Sequence, residues 1–199
     1  MDISPHVEAV SSRAAGTRAR LVAAAAGEIN RAGYHGTDSN RIARAAGYAP
    51  ATFYKHFPDK RAIFLAAYER WVTTEWAAVE GELAAGGGLD EVSARVIALV
   101  LALHRRWRGL RASLLVLVAS DPVVRRFYRA QRRRQLDMLA ALRHRLGSAP
   151  RAAAEDAVLL FTLERTCDAV ANGELRDLGL ATEPVLAVLR ERVRSHLRG

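Results

Sequence analysis

The chain has 199 residues, half of them hydrophobic and 26% charged, a balance that excludes a disordered chain and is enough for a sizeable core. A single cysteine, Cys167, excludes an internal disulfide framework and fits a reducing cytoplasm, the expected location. No apolar leader opens the sequence, and VIALVLAL (96–103) is too short to span a bilayer, so no membrane partner is expected.

The formal charge of +9 favours a polyanionic partner, but its distribution is uneven. Residues 104–147 hold twelve Arg against Asp121 and Asp137, whereas residues 1–60 hold eight basic against five acidic residues. A solvated Arg-rich face accounts for most of that excess, so charge alone does not locate a binding site.

Period-2 alternation and hairpin turns are absent, and Ala, Leu, Val and Arg recur at helical spacing; the chain reads as all-α, with about nine helices. Residues 1–15 read as a flexible tail. Thr17 caps a first helix running to Ala32, with Leu21, Ala25 and Ile29 inward and Gly33 as its stop. A short second helix covers Ser39–Ala46 and ends at Gly47; a third covers Pro50–Phe57 and ends at Pro58. Asp59 caps a long fourth helix reaching about Leu83, and AAGGGLD (84–90) connects onward. Segments 90–104 and 109–119 are apolar nearly all round and read as central, buried helices. A long amphipathic helix opens at Asp121-Pro122, another spans 151–171 and closes at Asn172-Gly173, and a last one starts near Glu183.

The second and third helices fit a helix-turn-helix over about 38–57. Such a unit needs a small residue where the helices cross (Ala43), a turn residue tolerant of positive φ four positions later (Gly47), and an apolar anchor on the second helix (Phe53, then Phe57). With both Phe turned inward, Ala51, Thr52, Lys55 and parts of Tyr54 and His56 turn outward, where Thr, Tyr, Lys and His donate to phosphate or base edges. Lys55 and Lys60 are the only lysines. Lys60, in the first turn of the fourth helix, works against the helix dipole unless a phosphate docks there.

Residues 17–70 resemble the DNA-binding domain of the TetR family of bacterial transcriptional regulators. The resemblance rests on Thr17-Arg18, Gly33-Tyr34, Ile42-Ala43, Gly47 and above all Thr52-Phe53-Tyr54-Lys55-His56-Phe57 with Asp59-Lys60. It implies a helix-turn-helix domain over 16–62 and a helical effector-binding and dimerisation domain over 63–199. By the same resemblance Thr52, Tyr54, His56 and Lys60 contact DNA, Pro50, Ala51 and Lys55 help read bases, and Thr37, Ser39 and Asn40 grip the backbone. Three positions depart from the family's pattern: Ala49 stands where a capping Ser is common, Ser39 where an apolar residue is usual, and Glu28-Ile29 where Leu-Phe is common.

One recognition helix binds DNA weakly, so such proteins read two half-sites of a palindromic double-stranded operator as homodimers. The stripe Val185, Leu189, Val193, Leu197 on the last helix is the expected dimer interface, together with the preceding helix. Trp71, Trp76, His104, Trp107, Phe127, Tyr128, Phe161, Glu164, Cys167 and Asp168 lie in the regions where family members enclose a small molecule, and a largely apolar effector that releases a repressor is expected there. No nucleophile elbow, phosphate loop or metal-ligand cluster is present, so no catalytic residue, metal or cofactor is expected. The competing reading is an architectural DNA binder that uses the 104–147 Arg belt non-specifically.

Overall fold

The computed structural model describes residues 5–145 and 147–198, with side chains from Ala14 onward. Among these residues the chain is entirely helical: α1 (Pro5–Ala32), α2 (Ser39–Ala45), α3 (Pro50–His56), α4 (Lys60–Ala84), α5 (Leu89–Arg106), α6 (Arg108–Ser120), α7 (Pro122–Arg145), α8 (Ala153–Asn172), α9 (Glu174–Asp177) and α10 (Thr182–Arg198). The all-α reading holds. α9 is an added single turn within the segment read as a connection after Gly173.

α1 starts well before Thr17, at Pro5, in a segment read from sequence as a flexible tail. Proline suits the first helical position, and no further proline interrupts the Ala-rich stretch after it, which carries the helix through Gly16 and Gly27. Residues 1–4 lie outside the described residues. Thr17 is therefore inside the helix rather than its cap. Its side chain hydrogen-bonds the Tyr48 hydroxyl, and that contact, with Arg20, holds the phenol below its usual pKa.

The chain divides into two compact units. The first comprises Met1–Trp71 with Gly109–Ser120, the second Val72–Arg108 with Asp121–Gly199. The sequence reading drew one boundary at 62/63, whereas the division falls inside α4 and returns α6 to the amino-terminal unit.

In the first unit α2 packs on α1 and α3 on α2. Leu21, Ala25, Ile29, Ile42, Ala43 and Phe53 are wholly buried there. α6 joins this unit through specific bonds. The Asn30 side-chain oxygen accepts from the N–H groups of Gly109 (2.9 Å) and Leu110 (3.1 Å), capping the start of α6 from the end of α1. The Ser113 hydroxyl accepts from the Tyr34 N–H at 3.0 Å. A Cβ at Gly109 would lie 2.0 Å from the Asn30 carbonyl oxygen, so only glycine permits this approach.

In the second unit α5 packs against α8 and α10, and α7 against α8. Its core includes Ile97, Val100, Cys167, Leu189, Val193 and Leu197. α5 and α6 are not buried all round as their composition implied. α5 turns Val92, Val96, Val100 and His104 inward with Ala98 and Ala102 outward, and α6 leaves Leu115 and Val116 exposed. A 3.6-residue period buries one stripe, and alanine on the opposite face lends the sequence an apolar look without burial.

Candidate nucleic-acid interface and ligand cavity

The turn between α2 and α3 is built as the sequence requires. Gly47 has φ +78°, the Tyr48 N–H donates to the Ala43 carbonyl (2.9 Å) and the Gly47 N–H to the Arg44 carbonyl (3.0 Å). These are the two bonds of a Schellman stop, and they turn the chain sharply into α3. Ala49 supplies no side-chain cap, and Pro50 takes the first helical position. Asp38 caps α2 by accepting from the Arg41 N–H at 2.8 Å, and that bond holds its carboxyl below the usual range.

α3 has two faces. Phe53 and Phe57 are buried, their ring centroids 5.9 Å apart, with the Arg18 guanidinium 4.8 Å over the Phe57 ring. Opposite them Ala51, Tyr54 and Lys55 are exposed, Tyr54 at 57%, and Pro50, Thr52 and His56 are half-buried. Asn40 is exposed and Ser39 half-buried at the start of α2. The structure thus gathers Ser39, Asn40, Pro50, Ala51, Thr52, Tyr54, Lys55 and His56 on two adjoining short helices.

Two predicted contacts are placed differently. Thr37 is 5% exposed and its Oγ1 makes no hydrogen bond among the described residues, so its side chain points into the fold. The Lys60 ammonium donates to the carbonyls of Tyr34 and Thr37, both at 2.8 Å, and sits 4.2 Å from the centre of the Tyr34 ring. Burial lowers its pKa. Lys60 therefore clasps the α1–α2 connection to the start of α4, where a helix-dipole argument had left it waiting for a phosphate. Two carbonyls and a ring face compensate a half-buried ammonium well, a solution that sequence spacing does not reveal.

Glu28, noted as a departure, pairs with Arg41 of α2 at 2.8 Å and with Arg31. It ties the first two helices together beside the buried Ile29.

The second unit encloses a cavity of about 80 Å³ among α4, α5, α7, α8 and α10. Its wall is mainly aliphatic, with Val96, Val100, Leu139, Leu142, Leu159 and Leu163 prominent, and carries the polar side chains Glu75, Ser93, Gln135 and Glu164 and the indole of Trp76. Of the predicted pocket residues Trp76 and Glu164 line it. Trp71 lies in the amino-terminal unit against Tyr68, with ring centroids 5.0 Å apart. Cys167 is core, Phe161 is 53% exposed, and Tyr128 lies beside Arg132, which pairs with Glu164. Burial alone would lower the Arg132 pKa, but the Glu164 hydrogen bond and charge outweigh it and the net shift is upward. Trp107 stacks with Arg106, and Phe127 is half-buried on α7. His104 and Asp168 are buried as a pair, Nδ1 to Oδ1 at 2.9 Å. Of the aromatic residues expected there only Trp76 reaches the cavity; the broader signal is the aliphatic spacing 96/100, 139/142 and 159/163.

The predicted dimer stripe is largely core. Leu189, Val193 and Leu197 are 2%, 6% and 7% exposed and Val185 is half-buried, all packed within the second unit. The exposed apolar residues of α8 and α10 are Val158, Phe161 and Val188, turned away from that stripe. A four-residue spacing identifies a face but not what covers it.

The 104–147 belt is partly spent internally: Arg132 and Arg143 form buried pairs with Glu164 and Asp156, and Arg145 pairs with Glu80 at 2.8 Å. Among the described residues no group of His, Cys, Asp and Glu is arranged to hold a metal ion, and no helix is long and apolar enough to cross a membrane.

Residues 21–67 match the family model for bacterial regulatory proteins of the tetR family. Comparison with curated proteins finds no match. Among solved structures, the chain is similar to the fatty acid degradation regulator FadR from Bacillus halodurans, at 16% identity and a TM-score of 0.62 over 100% of this chain and 97% of that one. FadR from Bacillus subtilis in complex with stearoyl-CoA matches at 19% identity and a TM-score of 0.62, over 90% and 97% of the two chains. A TetR family transcription regulator from Marinobacter aquaeolei matches at 19% identity and 0.64, over 93% and 97%. The Schellman turn, the buried Phe pair and the family match coincide on one segment: residues 21–67 form a helix-turn-helix that matches the tetR-family model, in a chain with the same fold as a TetR family transcription regulator.

Proposed function

We propose that the protein is a sequence-specific DNA-binding transcriptional regulator, a repressor that leaves its operator when a small effector fills the cavity of the second unit. The observation that carries the DNA reading is α3: a helix anchored by buried Phe53 and Phe57 with Tyr54, Lys55 and Thr52 on its outer side. Thr52, Tyr54 and His56 supply donors for phosphate, and Pro50, Ala51 and Lys55 stand where bases are read. Ser39 and Asn40 hold the backbone at the start of α2. Lys60 acts through the clasp to Tyr34 and Thr37 and keeps one N–H in hand for a phosphate.

Tyr54→Ala should weaken binding to DNA fragments selected by the purified protein by about tenfold or more, the loss of one hydrogen bond to a charged group. Arg133→Ala, an exposed position in the belt, should change it less than about twofold. Arg132 is unsuited to this comparison because its loss unpairs the buried Glu164. Equal losses in gel shifts at both positions would transfer the site to the belt and support the architectural alternative.

A palindromic operator calls for two copies. The surface for the second copy is the outer side of α8 and α10 at Val158, Phe161 and Val188, whose exposed apolar area the monomer leaves uncovered. Val158→Arg should shift the sedimenting species from dimer to folded monomer, whereas Leu189→Arg should unfold the chain. A wild type that sediments as a monomer rules the interface out.

Stearoyl-CoA bound by the Bacillus subtilis neighbour supports a ligand in this fold. The cavity here is well below the roughly 300–1,000 Å³ of sites for drug-sized ligands, so a shorter effector suits it.

A further inference from the structure

We infer that the cavity of the second unit takes a short aliphatic cation, an alkylammonium-type ligand, with Glu75 as its counter-charge; this rests on reading the cavity as the effector site. The oxygens of Ser93, Gln135 and Glu164 in the wall are already engaged. The Ser93 hydroxyl donates to the Leu89 carbonyl at 2.6 Å, the Gln135 side-chain oxygen accepts from Arg132 at 3.1 Å, and Glu164 accepts from Arg132.

Glu75 differs. Its side chain is 12% exposed, and the nearest charged partner among the described residues is His104 Nε2 at 3.7 Å, beyond hydrogen-bond reach. The other ring nitrogen of His104 is engaged with Asp168 at 2.9 Å. A nearly buried carboxylate without a hydrogen-bonded donor is costly, and neither the Trp76 indole nor the Gln135 amide, the neutral N–H donors in the wall, forms a hydrogen bond to it among the described residues.

The missing partner is a donor, and an ammonium brings both the hydrogen bond and the charge. An anionic head group fails on the same geometry, because it would meet Glu75 as a like charge in a medium of low dielectric. The body of the ligand is set by Val96, Val100, Leu139 and Leu163: unbranched or lightly branched hydrocarbon, of a length the small cavity admits.

Calorimetric titration of the full chain with n-pentylamine, n-pentanol and n-pentanoate decides the matter. Pentylammonium should bind about tenfold more tightly than pentanol, and pentanoate more weakly than either, as a charge-assisted bond to Glu75 requires. Glu75→Gln should bring the amine down to the level of the alcohol while the melting transition is retained. Binding of pentanoate at or above the amine, binding of none of the three, or a preference that survives Glu75→Gln overturns the assignment. If Glu75→Gln does not fold, the ranking on the wild type still decides it. The effector reading is tested apart, by retention of selected DNA in gel shifts with the amine present: Glu75-dependent binding that leaves DNA affinity unchanged keeps the ligand class and removes the effector role.

Discussion

Replacing Asp156 with alanine should destabilise the folded chain by about 3–5 kcal/mol, the cost of unpairing a buried ion pair. The Asp156 carboxylate is 2% exposed and serves two partners: Arg143 Nη2 donates to one oxygen at 2.6 Å, and His196 Nε2 lies 2.7 Å from the other. These residues belong to the end of α7, the first turn of α8 and the end of α10, so one side chain fastens three helices. Removing it leaves the Arg143 guanidinium, 5% exposed, without its counter-charge, and the exposed Ala149 carbonyl at 3.4 Å is a poor substitute. A chain of this size loses about 2–4 °C of melting temperature per kcal/mol, so a drop of about 6–20 °C is expected in a thermal scan. Asp156→Leu combined with Arg143→Met should restore much of the loss, since a packed apolar pair avoids the desolvation of both charges. A single substitution costing under about 1 kcal/mol in urea titration would show that water reaches the pair.

Phe53→Ala should cost about 3–5 kcal/mol and abolish DNA binding without removing any group that faces DNA. The ring is wholly buried, lies 5.9 Å from the Phe57 centroid and anchors α3, a helix of only seven residues. So short a helix has no stability of its own and is held by what its inner face packs against. Tyr54→Ala, one position along, should leave stability within about 0.5 kcal/mol and act on DNA affinity alone. Thermal unfolding and gel shifts on the two variants separate anchor from contact; a crossed result, with Tyr54 carrying stability and Phe53 affinity, would reverse the two faces.

Much of this was legible because it is local. The Gly47 stop, Pro50 at the first turn of α3, the inward Phe pair and the outer face of α3 follow from residue types at fixed spacing within a dozen positions. What failed to read was what depends on a distant partner. Lys60 is held by carbonyls more than twenty residues away, contacts that no periodicity announces. Val185, Leu189, Val193 and Leu197 form a stripe whichever way they face, and only the position of α5 and α8 decides that most of it is covered from within. Among the aromatic residues that advertise a pocket only Trp76 reaches the cavity, whose wall is mainly aliphatic and spread over five helices.

The discontinuity of the amino-terminal unit bears on how such chains can be recombined. Asn30 caps α6, Tyr34 bonds to Ser113, and Gly109 admits the close approach of the α1 backbone, although 75 residues or more separate these partners in the chain. A hybrid joined once after Trp71 would set a foreign α6 against Asn30 and Tyr34, with a side chain wherever the donor lacks glycine at the crossing. The amino-terminal unit is portable between relatives only as a set of three splices, at 71/72, 108/109 and 120/121, so the helix after the cavity-lining α5 has to travel with the helix-turn-helix.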